Sequence, residues 1–310
     1  MPTALFSHPV CIEHDTGPHH PECSDRLKAV LAALEDEAFS LLYREEAPHA
    51  TVDQLLRVHP LSHIDAVLDA VPHGDELHHL DPDTVVSANS GEAALRAAGA
   101  VCAAVDAVVT GRYRNAFCAI RPPGHHAERM QAMGFCLFNN VAVGALHARA
   151  EHGLRRVAVI DFDVHHGNGT QHVFADDAEL FYASTHQENH YPGTGHYHER
   201  GRANNIVNFP LPAGSGSQSF RMAMGDVILP ALNDFKPELI LVSAGFDGHA
   251  MDPLAHLRLT TEDFAWVTRE IVAIARDTCA NRVVSTLEGG YDLSALAASA
   301  AAHVRALMGS

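Results

Sequence analysis

The chain has 310 residues, 47% of them hydrophobic and 19% charged, which is enough for a large apolar core. Its 21 Lys+Arg against 38 Asp+Glu give a formal charge of −17. That balance argues against a non-specific nucleic-acid binder and suits cationic small molecules or lysine-rich segments, although solubility alone explains many acidic surfaces.

The N-terminus, MPTALFSHPVCIEHD, has neither the basic start nor the long apolar run of a signal peptide. The first strand is expected at ALF (4–6). An alanine-rich helix, EAALRAAGAVCAAVDAVVT, follows and should stop at Gly111. Further strands are expected at AFCAI (116–120), RVAVIDF (156–162), ELFYAS (179–184) and NIVNF (205–209). Pro230 should kink the helix between Ser219 and Phe235. The last strands are LILVSA (239–244) and RVVSTLE (282–288), separated by a helix that opens on the capping-box spacing Thr260-Thr261-Glu262-Asp263. No stretch reaches the roughly 20 apolar residues a membrane helix needs. The six cysteines form no C-x-x-C pair, so they read as thiols of a cytoplasmic protein. With no repeat and no linker, residues 1–310 are expected to form a single domain. Continuous apolar strands alternating with helices predict an α/β fold with an open, mostly parallel sheet covered by helices on both faces.

In such sheets ligands sit beyond the carboxyl ends of the strands. Polar residues gather there in this sequence. RPPGHHAE (121–128), DFDVHHGNG (161–169), THQENHYPGTG (185–195), GFDGHAMDP (245–253) and LEGGYD (287–292) each follow an apolar run. On a strand, residues two apart face one way about 6.6 Å apart, so Asp161, Asp163 and His165 are expected to share a face. Carboxylates and an imidazole converging at low dielectric call for a cation, and Asp247 is the natural remote oxygen ligand. Asp163, His165 and Asp247 give three ligands and an open position, as a catalytic zinc site requires, with Asp161 behind them orienting a histidine. Two oxygens and one nitrogen also suit Fe(II), Co(II) or Mn(II). The bland reading, in which loop amides satisfy the two aspartates, weakens once His165 and Asp247 are counted with them.

The chain carries 24 histidines, several in pairs. His125 and His126 follow Pro-Pro-Gly and are held rather than free. A carboxylate such as Asp161 behind one of them would favour its charged form, and Asn168 behind the other would fix a tautomer. Tyr291 is placed by Gly289 and Gly290 to donate its hydroxyl to a substrate carbonyl. Cys136 reads as packing rather than nucleophile, and His78-His79 as solvent-facing. His19-His20 belongs to an expected rim loop.

Taken together, RPPGHHAE, GFCLFNN (134–140), DFDVHHGNGTQ, STH…YPGTG, LVSAGFD and LEGGYD resemble the histone deacetylase superfamily of zinc amidohydrolases, from about His14 to Tyr291. Asn168 and Glu288 are similar to its second class. The resemblance implies an arginase-like fold with a central eight-stranded parallel sheet. It implies zinc on Asp163, His165 and Asp247, His125 paired with Asp161, and His126 as the histidine that exchanges protons with water and amine. Tyr291 would polarise the acyl carbonyl. Gly134, Phe135 and Tyr191 would form tunnel walls, with Leu254 at the rim and Arg26 beneath the metal where acetate leaves. A structural potassium or sodium ion would use Asp161, Asp163, His165, Ser184 and Thr185. The expected substrate is an acylated lysine or amine, with no direct nucleic-acid or membrane partner, and oligomeric state is left open. An acetylpolyamine amidohydrolase is the alternative within the family, disfavoured by Leu254 where an acidic gatekeeper would stand. A non-catalytic acyl-lysine binder, a dinuclear arginase-type hydrolase and a histidine-rich metal store are the rivals outside it.

Overall fold

Runs without polar alternation become the buried middle of a sheet. Val157–Asp161, Leu239–Ala244 and Val283–Leu287 are buried at every position, as strands covered on both faces must be. The computed structural model describes residues 2–309, so Met1 and Ser310, the ends of the expected domain, lie outside the described residues. Its strands in chain order are β1 (Thr3–Ser7), β2 (Tyr43–Glu46), β3 (His78–His79), β4 (Val85–Val86), β5 (Asn115–Cys118), β6 (Val157–Asp161), β7 (Leu180–Gln187), β8 (Ile206–Leu211), β9 (Leu239–Ala244) and β10 (Val283–Leu287). Eight form one sheet in the order β2-β1-β5-β10-β9-β6-β7-β8, and all its pairings are parallel. β3 and β4 pair apart from it, antiparallel.

Register shows that helices cover both faces. Phe117 and Ser285 are lateral partners, and both meet His303 of the helix Leu293–Met308. Leu241 belongs to the alternate row, with Val159 and Val284, and faces the helix Asn140–His152. A Cβ added at Gly144 of that helix would stand 3.4 Å from Leu241 and overlap Val101 of the helix Ser90–Val109.

Three local expectations differ from the structure. β2 is an eighth sheet strand with no apolar signal: Tyr-Arg-Glu-Glu lies on the sheet edge, largely exposed, where only one neighbour has to be satisfied. β8 runs through Pro210, which an outermost strand tolerates because its free side needs no N–H. β6 stops at Asp161, so strand alternation does not carry Asp163 and His165 to a common side; the following loop does. The helix near Pro230 is interrupted as expected, by a π-turn at Met224–Ile228 between Ser217–Ala223 and Leu229–Phe235. The missing proline N–H falls at the start of the last piece. Thr260 caps its helix through a backbone N–H donated to Asp263 at 2.9 Å. Among the described residues no helix is long and apolar enough to cross a membrane.

His303 lies buried between Thr268 Oγ1 at 2.6 Å and Ser285 Oγ at 2.8 Å. Burial pushes its pKa from 6.5 down to about 3. The folded value lies below the unfolded one, so the unfolded chain takes up a proton the folded chain refuses. Stability is therefore lost as pH falls from about 6.5 towards 3, by about 2 kcal/mol at pH 5 from this residue alone. His303→Gln is expected to lower stability at neutral pH, yet to shrink the loss between neutral pH and pH 5 by about that amount in urea melts.

Candidate metal centre and catalytic pocket

The loops that leave β5, β6, β9 and β10 meet at the carboxyl edge of the sheet, and buried carboxylates tie them together. Asp163, just after β6, accepts from Gly289 N at 2.8 Å, and Asp247, after β9, accepts from Val164 N at 2.8 Å. Within the β6 loop, Asp161 Oδ1 accepts from Asp163 N and Asp163 Oδ1 accepts from His165 N, so each aspartate folds the backbone two residues on. That succession of turns, rather than strand pleating, aims Asp163 and His165 at Asp247. Their ligating atoms lie within 4.8 Å of one another, and all three residues are buried.

His165 Nδ1 stands 3.0 Å from Asp163 Oδ1 and 3.2 Å from Asp247 Oδ2. Asp247 Oδ2 has no hydrogen-bond partner although it is buried. With the protein's own charges alone, burial and the neighbouring Asp163 push Asp247 up to about 7. Burial opposes a charge on His165, but the adjacent carboxylates of Asp163 and Asp247 carry it up to about 10. Burial would raise Asp163 too, yet His125 and His165 hold it well below the carboxylate range. An orphaned carboxylate oxygen beside a second carboxylate and an imidazole nitrogen is a donor set that fits a divalent cation. The backbone leaves room for it: a Cβ at Gly289 would overlap Asp247 Oδ2 and stand 2.6 Å from Asp163 Oδ2.

His125 Nδ1 lies 3.0 Å from Asp161 Oδ2, which also accepts from the Tyr182 hydroxyl at 3.0 Å. Burial works against charge on His125, but Asp163 and Asp161 carry its pKa up to about 10. His126 Nδ1 lies 2.8 Å from Asn168 Oδ1. Burial and the charges of His125 and His165 push His126 well below its ordinary value. The two adjacent imidazoles, 4.0 Å apart between ring centroids, are thus driven to opposite protonation states.

A cavity of about 210 Å³ opens onto this cluster, with His126, His165 and Tyr291 in its lining and Gly134, Phe135, Tyr191 and Leu254 around them. His126 meets the Tyr191 ring edge-on at 5.1 Å, and Phe135 meets Tyr291 at 6.0 Å. Burial holds the Tyr291 hydroxyl in its protonated form. Arg26 is fully buried beneath, its guanidinium 4.9 Å from the Tyr291 ring centroid. It donates to Gly290 O at 2.6 Å and Glu288 O at 2.5 Å, and so clamps the glycine turn. Ser184 sits beside Asp161 across the β6–β7 pair and is engaged with His186 Nδ1 at 2.9 Å; Thr185 is buried next to it. Cys136 is buried, and burial pushes its thiol well up. His20 packs edge-on against Phe135 at 4.8 Å, while His78 and His79 are exposed.

Several residues of this site carry no motif signal of their own. Asp83 and His190 line the cavity, His190 stacking on His165 at 5.0 Å. Asp252 holds Tyr291 N at 2.7 Å and Leu254 N at 3.0 Å, joining the rim to the tyrosine loop. Glu288, which stands out in the sequence only as a class marker, holds Gly124 N at 2.7 Å and His125 N at 3.2 Å. A second trio, Asp106, His147 and His152, also brings ligating atoms together. There Arg57 donates to His147 Nδ1 at 2.6 Å, which leaves the proton on Nε2 facing Asp106 at 2.7 Å. That arrangement is a hydrogen-bonded helix contact rather than a metal site.

Gly289→Ala is expected to lower affinity for a divalent cation at least tenfold, with a circular-dichroism spectrum like that of the parent. Titration calorimetry with Zn2+ measures it; unchanged affinity would place the cation elsewhere.

Residues 20–307 match the family description "Histone deacetylase domain". The Arabidopsis thaliana protein "Histone deacetylase 14, chloroplastic" is 39% identical over 309 residues, covering 94% of this chain and 73% of that protein. The "Histone deacetylase-like amidohydrolase" of Pseudomonas aeruginosa is 38% identical over 314 residues, covering 93% and 81%. The crystal structure of the HDA15 HD domain superposes with a TM-score of 0.93 at 35% identity, over 99% of this chain and 88% of that one.

Proposed function

The chain belongs to the histone deacetylase family and is a hydrolytic deacetylase, and we propose that it removes acetyl groups from acylated primary amines of the acetyl-lysine type with one zinc ion on Asp163, His165 and Asp247. The observation that carries this reading is a single cavity lined by His126, His165 and Tyr291, with Asp163 and Asp247 gathered around His165. Zinc bound there supplies a Lewis acid that polarises the acyl carbonyl and makes water nucleophilic near neutral pH. The rest falls to the protein. His126 keeps its Nδ1 proton against Asn168 Oδ1, so its Nε2 lone pair takes the proton of the attacking water. As the water oxygen bonds to the acyl carbon, Tyr291 donates its hydroxyl to the oxygen that gains charge. His126 then passes its proton to the nitrogen, the C–N bond breaks, and acetate and free amine result. His125, held charged by Asp161, adds positive potential without moving its proton. Phe135 and Tyr191 enclose the aliphatic chain, and Leu254 gives the rim an apolar contact. Arg26, packed against the Tyr291 ring, is proposed to mark the route by which acetate leaves. Asp161, Asp163, His165, Ser184 and Thr185 are proposed to hold a monovalent cation that supports the same loop.

A second reading, an acetylpolyamine amidohydrolase, is favoured by Asp83, whose carboxylate lines the cavity next to Asp81 and would attract a distal ammonium group. Comparing kcat/KM for an acetyl-lysine peptide and N-acetylputrescine separates the two. Higher kcat/KM for the peptide is expected, and the reverse would transfer the assignment to polyamines. In the same assays chelation should abolish turnover and one equivalent of zinc restore it, whereas a need for two would favour a dinuclear hydrolase. Tyr291→Phe is expected to lower kcat by about 10²–10³; full turnover in that variant would remove Tyr291 from the mechanism.

A further inference from the structure

We propose that Glu128 is a positioning residue that decides which nitrogen of His126 carries the proton, acting through the amide of Asn168. The inference rests on the hydrolytic reading above.

An asparagine amide has an acceptor end and a donor end of nearly the same shape, and a half-turn about its last torsion exchanges them. With oxygen towards His126 it accepts from Nδ1–H, 2.8 Å away, and the Nε2 lone pair is left for the reaction. Turned round, it would donate to Nδ1, force the proton onto Nε2 and leave His126 unable to act as a base. The surroundings of the other end therefore choose the tautomer. Asn168 Nδ2 faces the His126 carbonyl at a long 3.4 Å, the weakly accepting Met133 Sδ at 3.4 Å, and Glu128 Oε1 at 2.9 Å. The carboxylate is the near, charged acceptor. A half-turn would set the Asn168 oxygen against it, with two acceptors and no proton between them.

Glu128 is itself held in place. Its backbone N–H donates to Gln131 O at 2.9 Å, and its second oxygen lies 3.3 Å from His172 Nδ1. Its side chain is 34% exposed, so removing the carboxylate opens no core cavity. An aspartate at 168 would present oxygen whichever way it turned. It would not need Glu128 and would be repelled by it.

The test uses the zinc-loaded full chain and an acetyl-lysine peptide. Glu128→Leu is expected to lower kcat roughly tenfold or more, with KM and thermal midpoint unchanged, since it removes part of a proton-transfer contribution. Glu128→Gln can offer its own carbonyl oxygen to Asn168 and should restore most of the rate. In an Asn168→Asp background, Glu128→Leu should cost nothing or raise the rate. Imidazole 15N–1H spectra, with His126 assigned by its loss in His126→Asn, read the tautomer without turnover: Nδ1–H in the parent and an added Nε2–H population in Glu128→Leu. An inactive parent enzyme would defeat the hydrolytic reading while the spectra still decide this one. Unchanged kcat and tautomer in Glu128→Leu, or an equal loss in the Asn168→Asp background, would overturn the proposal.

Discussion

Three aspartates and three histidines are buried together at the carboxyl edge of one parallel sheet, and the loops around them are shaped by that concentration of charge. Asp161, Asp163, Asp247, His125, His126 and His165 all lie below one-tenth exposure. Carboxylates taken out of water must be paired, hydrogen-bonded or neutralised by a cation. In this protein the same atoms answer that demand and build the site. Asp163 fastens the tyrosine loop by accepting from Gly289, Asp247 fastens the β6 loop by accepting from Val164, and Glu288 fastens the tandem-histidine loop by accepting from Gly124 and His125. Each loop is held by a carboxylate belonging to another, so a shift in one is transmitted to its neighbours.

The arrangement also separates the two tandem histidines. His125 has a carboxylate behind it, and His126 has an amide. One neighbour stabilises a charge, while the other fixes a proton without adding charge. Two identical side chains next to each other in sequence therefore hold different states, and the difference is made by residues 36 and 42 positions away. The same economy is visible beneath the pocket. Arg26 donates to the carbonyls of Glu288 and Gly290 and to Glu22 Oε1 and lies against the Tyr291 ring, so one buried cation helps to order the tyrosine turn.

Much of this was legible from the chain. A strand such as VAVID or LILVSA has no reason to end in Asp-Phe-Asp or Gly-Phe-Asp unless the carboxylates have work at the sheet edge. The central strands were legible because burial on both faces leaves unbroken apolar runs. β2 was not, because an exposed edge strand is under no such pressure and Tyr-Arg-Glu-Glu is polar. Asp83 was not legible either, and Asp252 and His190, although inside the quoted strand-end stretches, carried no sign of their individual roles. A lone acid or histidine in a loop carries no spacing signal, and its role depends on which backbone or ring a distant segment brings to it.

The sequence by itself determined the parallel α/β sheet and the residue types at its strand ends, because apolar periodicity and motif chemistry are local properties. Only the tertiary structure decided how those residues meet. Asp163 and His165 reach Asp247 through turns folded on their own carboxylates rather than through strand pleating, and the orphaned oxygen of Asp247 is a property of three loops at once. Which proton sits on which imidazole is likewise set by partners remote in the chain: motif chemistry named Asp161 and Asn168, and the fold brings each to its own histidine.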